Sequence, residues 1–305
     1  MDGPAFRDRT QRHRRPRTGW RVVRGLLTAA VIAGAGFFAA GLIETDPRIT
    51  GLVDDIRGVG GPGPGTAVAG QPGRPASADA VGTDTPPAGY EEQDDPLGRP
   101  QKPAAASSSY KFLAENDDGT PVGYSPCRPL HYVINADLAP AGAQGLVEDA
   151  IATMSQATGI SFVDDGASTE LSSQTRAPYQ PDVYGERWAP LLITWTTPDQ
   201  APQLQGPVIG TGGSTHFSFG EGPKSFVTGS LELDAAQIAE ELGRRDGAAY
   251  ATAVILHELG HVMGLEHVDD PVQLMYPEIG APDGLAAGDL NGLYELGNAQ
   301  CRKDL

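Results

Sequence analysis

The chain has 305 residues, with 39 Asp and Glu against 22 Lys and Arg and a formal net charge of −17. So acidic a balance disfavours nucleic acid as a partner and serves solubility. The basic residues are unevenly spread: residues 1–24 hold eight arginines against two aspartates, and the other 281 residues carry 37 acidic and 14 basic side chains.

Gly25 to Ile43 follows as nineteen residues without a charge, long enough to cross a bilayer as a helix. Phe37-Phe38-Ala39-Ala40-Gly41 puts phenylalanine where a small-x-small cleavage site is wanted, which favours an uncleaved signal-anchor over a removed secretory signal. The preceding arginines leave residues 1–24 as a cytoplasmic tail and everything after Ile43 outside a cell membrane crossed once. Secretion after cleavage is the alternative. Residues 44–108 are crowded with Gly, Pro, Ala, Ser and Asp, including Gly60-Gly61-Pro62-Gly63-Pro64-Gly65, and cannot bury enough surface to offset their ordering entropy. A disordered linker is expected there. Residues 109–305 are then long enough for one domain with a sizeable core.

Within that domain, His131-Tyr132-Val133-Ile134 reads as a strand and Gly142 to Ala157 has helical spacing. Strands follow at Ile160 to Val163, Leu191 to Thr196, Val208-Ile209 and Phe226 to Leu233, and Asp246 to Val262 reads as a long helix. This order indicates an α/β (α+β) sandwich with a twisted mixed sheet. Cys127 and Cys301 lie near the two ends of the domain. Domain termini often sit close together, and outside the cytoplasm disulfides persist, so a bridge between them is expected.

The chemistry concentrates in His257-Glu258-Leu259-Gly260-His261-Val262-Met263-Gly264-Leu265-Glu266-His267. One helical turn puts His257 and His261 on the same face, where both rings can reach one zinc ion. Glu258 points about 100° away round the helix; it is suited to take a proton from a water on the metal as general base. Gly264 can end the helix in the left-handed conformation, which lets His267 turn back as third ligand. A bare H-E-x-x-H also occurs on ordinary helices; here the glycine and the third histidine extend it.

This string resembles the metzincin signature H-E-x-x-H-x-x-G-x-x-H at every fixed position, and Leu274-Met275-Tyr276-Pro277 looks like the Met-turn of that clan in its matrixin form. The resemblance, taken with the N-terminus, is to a bacterial-type, membrane-anchored matrixin. It implies a five-stranded sheet, an active-site helix and a small C-terminal subdomain, one catalytic zinc held by His257, His261 and His267, and Met275 as a support beneath the metal. Leu285 to Leu293 is similar to the start of the matrixin C-terminal helix, but Gly288 replaces one of the two adjacent acidic residues of the family. Val208 to Gly213 is the candidate for the strand at the cleft edge, where substrate adds as an extended strand. His216 lies in a segment that looks like the one binding a second, structural zinc in matrixins, yet its partner histidines and aspartate are missing, so a surface or locally bonded histidine is expected, as for His131. Ser125-Pro126-Cys127-Arg128 has a superficial likeness to a latency switch whose cysteine occupies the zinc. No calcium loop is legible, which leaves calcium open.

The resemblance implies a monomeric zinc endopeptidase acting on protein or peptide substrates outside the membrane. The alternative is a non-enzymatic cell-surface binding module that keeps zinc for stability.

Overall fold

The computed structural model describes residues 85–219, 222–279 and 284–305. The expected tail (1–24), membrane span (25–43) and first part of the linker lie outside them. Among the described residues no helix is long and apolar enough to cross a membrane.

Five strands form one mixed sheet: β2 (Leu130–Asn135), β3 (Phe162–Ala167), β4 (Leu191–Thr196), β5 (Gly210–Phe217) and β6 (Ser225–Asp234), a short β1 (Lys111–Phe112) preceding them. Their spatial order is β3-β2-β4-β6-β5, with β5 the only antiparallel member, at one edge. Parallel neighbours need a crossover, and α1 (Leu146–Thr158) supplies it between β2 and β3. The short α2 (Pro181–Tyr184) lies in the long connection from β3 to β4. After β6 come α3 (Ala235–Leu242), α4 (Gly247–Met263), β7 (Leu265–Glu266), which pairs antiparallel with β1, and α5 (Ala287–Gly297).

Cross-strand partners share a face of a sheet, and two rows show what each face does. Ile134, Ile193, Leu231 and Gly212 are in register, and this row belongs to the main core between the sheet and α1, α4 and α5. The next row, Asn135, Thr194, Glu232 and Thr211, is polar yet buried. The β3–β4 connection covers it: Asn135 donates to the Glu170 carbonyl at 3.0 Å, while Ser172 and Thr211 each donate to the Glu232 carboxylate at 2.7 Å. Glu170 is gripped in turn by Arg176 at 2.7 and 3.1 Å and by the Tyr184 hydroxyl. Buried polar groups so paired avoid the 1–3 kcal/mol or so that an orphan loses.

Most elements fall within a few residues of the expectation, Leu191–Thr196 to the residue. Two corrections stand out. The strand expected over 160–163 begins at Phe162 and runs to Ala167, because Ile160 follows the left-handed Gly159 that caps α1. More substantially, the linker does not extend to 108, nor does the domain begin at 109. Residues 85–108 lie along the domain: Gly89 N–H donates to Leu305 O at 2.8 Å, Gln93 to Cys127 O at 2.8 Å, Leu97 to Pro126 O at 2.9 Å and Gln101 to Gln156 O at 3.1 Å. A segment poor in large apolar residues is ordered by giving its amides to carbonyls of the loops and of the last turn of α1 that it crosses. It also passes close by, since a Cβ on Gly159 would sit 2.4 Å from the Arg99 carbonyl carbon.

Cys127 and Cys301 are joined, with a Cα–Cα distance of 5.3 Å and 174 residues of separation. The latency-switch likeness therefore falls: the Cys127 sulfur is consumed in the bridge. A loop of this length corresponds in the chain-entropy model to about 5 kcal/mol as an upper guide. Replacing both cysteines by serine should lower unfolding stability by a few kcal/mol, read as a reduced midpoint in urea with a steeper slope as the freed unfolded chain exposes more surface; an unchanged midpoint would show that the bridge constrains nothing.

Candidate metal centre

Helix α4 runs through the core, with every residue from Ala253 to Met263 buried. It ends at Gly264, whose φ of 117° lies in the left-handed region. A Cβ there would meet the Phe226 ring at 3.0 Å and Val122 O at 3.1 Å, so the turn is closed to other residues by conformation and by space. The turn sends the chain through β7 and returns His267 to the helix, as its place in the sequence requires.

The three imidazoles converge. Their Nε2 atoms form a triangle with edges of 3.1, 3.2 and 3.2 Å. His257 Nδ1–H donates to Leu274 O at 2.7 Å, and His261 Nδ1–H donates to Leu265 O at 2.8 Å. With the ring proton committed to a carbonyl, each Nε2 presents a lone pair. Burial holds both rings well below the usual imidazole range, His257 at about 3, aided by the neighbouring histidines; His267 is lowered by burial too, against a smaller opposing pull from Glu266. Neutral rings with lone pairs gathered this closely repel one another unless a cation lies between them. The triangle matches three corners of a tetrahedral site with ligand distances of about 2.0–2.1 Å, the geometry of histidine-bound zinc. Among the described residues the one other cluster with ligand spacing is Glu92, Cys127 and Cys301, and its sulfurs are bridged.

Glu258 does not join the triangle. It faces β5, where Gly210 and Gly212 make room: a Cβ on Gly210 would lie 2.9 Å from Glu258 Cγ, and one on Gly212 would lie 2.2 Å from the Glu258 carbonyl oxygen. Both carboxylate oxygens are buried without a hydrogen-bond partner among the described residues. Burial, with the Glu232 carboxylate across the sheet adding to it, pushes this group up to about 8; the Gly212 amide, short of hydrogen-bonding geometry, offsets a little. An unpaired buried carboxylate of this kind marks a chemical role.

Met275 lies under the helix, its sulfur filling the space left by Gly260, where a Cβ would sit 2.5 Å from it. Asp289 was not singled out in the sequence, yet it holds this turn. Its buried carboxylate accepts from the amides of Leu274 at 2.7 Å, Met275 at 3.2 Å and Ala286 at 2.8 Å, and the Leu274 carbonyl holds His257. The readable sign was a single acidic residue in the first turn of a helix. His216 sits on β5 outside the metal cluster, lowered by burial and then by Lys224. His131 is bonded to Asp165 at 2.9 Å. His131 matches the local reading, while His216 is half-buried rather than at the surface.

Two outcomes follow. Asp289→Ala strands three amides, so it should destabilise the fold by about 1–3 kcal/mol and weaken zinc binding about 10–100-fold, read by competition with a chelator. For Glu258, the folded value near 8 lies above the ordinary 4.5, so the metal-free fold binds the proton more tightly than the unfolded chain and loses stability as pH rises from 4.5 to 8. Metal-free Glu258→Gln should melt above the metal-free parent at pH 8.5, with the gap closing toward pH 5; a gap independent of pH would refute this account.

Residues 193–296 match the family model described as Matrixin (Peptidase_M10). Matrilysin of Felis catus is 36% identical over 94 residues, 30% of this chain and 34% of that protein. Macrophage metalloelastase of Oryctolagus cuniculus is 33% identical over 95 residues, 30% of this chain and 19% of that one; the chain thus spans 34% and 19% of these two curated relatives. A solved structure, high choriolytic enzyme 1, a hatching-enzyme zinc-protease from Oryzias latipes, overlaps 65% of this chain and 100% of its own at 15% identity and a TM-score of 0.29. The segment carrying the three histidines, Glu258, Met275 and Asp289 is matrixin-like.

Proposed function

We propose that the chain is a zinc-dependent endopeptidase. The observation that carries this reading is the triangle of imidazole Nε2 atoms with an unpaired carboxylate beside it and an edge strand alongside. His257, His261 and His267 would hold the ion, leaving one position open. Zinc bound there supplies Lewis acidity toward a peptide carbonyl and lowers the pKa of a coordinated water toward about 7. Glu258 takes the proton of the attacking water and passes it to the leaving amine. Its dry setting between α4 and the glycines of β5 keeps the carboxylate basic. The edge strand β5 offers unpaired backbone groups to an extended peptide, which suits protein or peptide substrates. Met275 and Gly264 act on geometry alone, one beneath the rings and one at the turn that returns His267.

We further propose that the domain works outside the cytoplasm on a membrane tether. The charge-free stretch 25–43 behind eight arginines supports this, and the Cys127–Cys301 bridge is at home in such a compartment.

Glu258→Ala should bind one zinc per chain like the parent and cut peptide hydrolysis about 10²–10⁴-fold, the usual scale for an acid–base group. His261→Ala should lose the metal. Elemental analysis and turnover of a mixed peptide library measure the pair; parental turnover in Glu258→Ala would sink the mechanism, and two zinc ions per chain would point to a second site.

A further inference from the structure

The turn that returns His267 is gripped by a piece of chain far from it in sequence. After Gly264 the chain forms β7, only two residues long, and His267 is the next position. So short a strand has little order of its own, and what it packs against sets where the third ligand stands. β1 and α5 are those neighbours. β1 pairs with β7 antiparallel, Lys111 opposite Glu266 and Phe112 opposite Leu265. The Leu113 amide donates to Gly264 O at 2.9 Å, which continues the ladder into the left-handed turn itself. Helix α5 comes so close that a Cβ on Gly292 would lie 2.6 Å from Leu265 Cδ2 and 3.0 Å from Tyr110 Cβ. Tyr110 and Leu265 thus meet over a bare stretch of helix.

This grip reaches two of the three imidazoles. Leu265 O takes the His261 Nδ1 proton at 2.8 Å, and the peptide just before it carries the oxygen that Leu113 holds. His267 gives its own amide to the neighbouring Glu266 carboxylate at 2.7 Å, a bond inside the segment that does not fix it to the domain. Its place is therefore inherited from β7. His257 is oriented separately, by Leu274 O. β1 lies well before residues 193–296, the span that matches the family model, so the matrixin-like segment does not contain the strand that holds its turn.

We propose that residues 110–113 are positioning residues for the metal: by holding β7 they place His267 and aim the carbonyl that orients His261. The proposal rests on the reading of the three histidines as zinc ligands. It makes this N-terminal strand a working part of the zinc site and not a cover to be removed from it.

Zinc affinity of the full chain is measured by competition with a chelator, and each variant is melted both metal-free and zinc-loaded. Leu113→Pro removes the amide that Gly264 O accepts, and Leu113→Ala keeps it. Leu113→Pro should weaken zinc binding about tenfold, the lower end of the range for groups that orient a ligand, while Leu113→Ala stays within about twofold of the parent. Zinc should then stabilise Leu113→Pro less than it stabilises the parent, as mass action requires; a variant that merely weakened the fold would lower both melts and leave the gain from zinc unchanged. With cobalt(II) in place of zinc, the visible bands of Leu113→Pro should shift as an imidazole is displaced, and those of Leu113→Ala should not. Tyr110→Ala keeps every backbone bond and gives a second reading where Leu113→Pro fails to fold: it should weaken zinc binding a few-fold, with the same loss of zinc-induced stabilisation. A folded Leu113→Pro that binds zinc like the parent, a loss equal to that of Leu113→Ala, or parental affinity in Tyr110→Ala overturns the proposal. A parent that binds no zinc overturns the ligand reading and this proposal with it, whereas a parent that binds zinc and cleaves no peptide sinks the peptidase alone.

Discussion

Two backbone carbonyls govern this structure more than any side chain does. Leu265 O and Leu274 O take the Nδ1 protons of His261 and His257, which fixes both tautomers and turns the lone pairs toward one point. Both carbonyls lie downstream of the helix, so the site exists only if the chain leaves α4 sharply and comes back. Gly264 makes the exit and Asp289 the return. The His257 and His261 rings are therefore held by main chain in the orientation that metal binding would require.

The edge strand is shaped by the same demand. Gly210 and Gly212 let β5 lie against Glu258 with no side chain between them; on the opposite face Thr211 ties the strand to Glu232. One face admits the Glu258 carboxylate and the other anchors the strand. The pair of carboxylates straddling the sheet is asymmetric for a physical reason: Glu232 has two hydroxyl donors, Glu258 has none.

The metal centre was the most legible part of the sequence because its spacing is geometric: three histidines and a glycine state where a helix must run and stop. Strands rich in apolar, β-branched and aromatic residues, such as Leu191–Thr196, are equally plain. Helix α3 is absent from the expected element order although Asp234-Ala235-Ala236-Gln237 announces it, the Asp234 carboxylate accepting from the amides of Ala236 and Gln237. Residues 85–108 were unreadable for a different reason. Their order comes from hydrogen bonds to carbonyls distant in sequence, a tertiary property that composition does not encode. Gly288 was visible as a departure from the matrixin pattern without an explanation. The structure supplies one: Ser109 O passes where a Cβ on Gly288 would stand, at 2.1 Å, so the incoming N-terminal segment occupies the place a side chain would take.

The bridge between Cys127 and Cys301 encloses every residue of the metal centre in one covalent ring. A single backbone cut anywhere inside that ring yields two pieces that stay tethered, and the shared core of α1, α4 and α5 can hold them in place at the effective concentration of an intramolecular contact. Nicking and dissociation thereby become separate events for this domain.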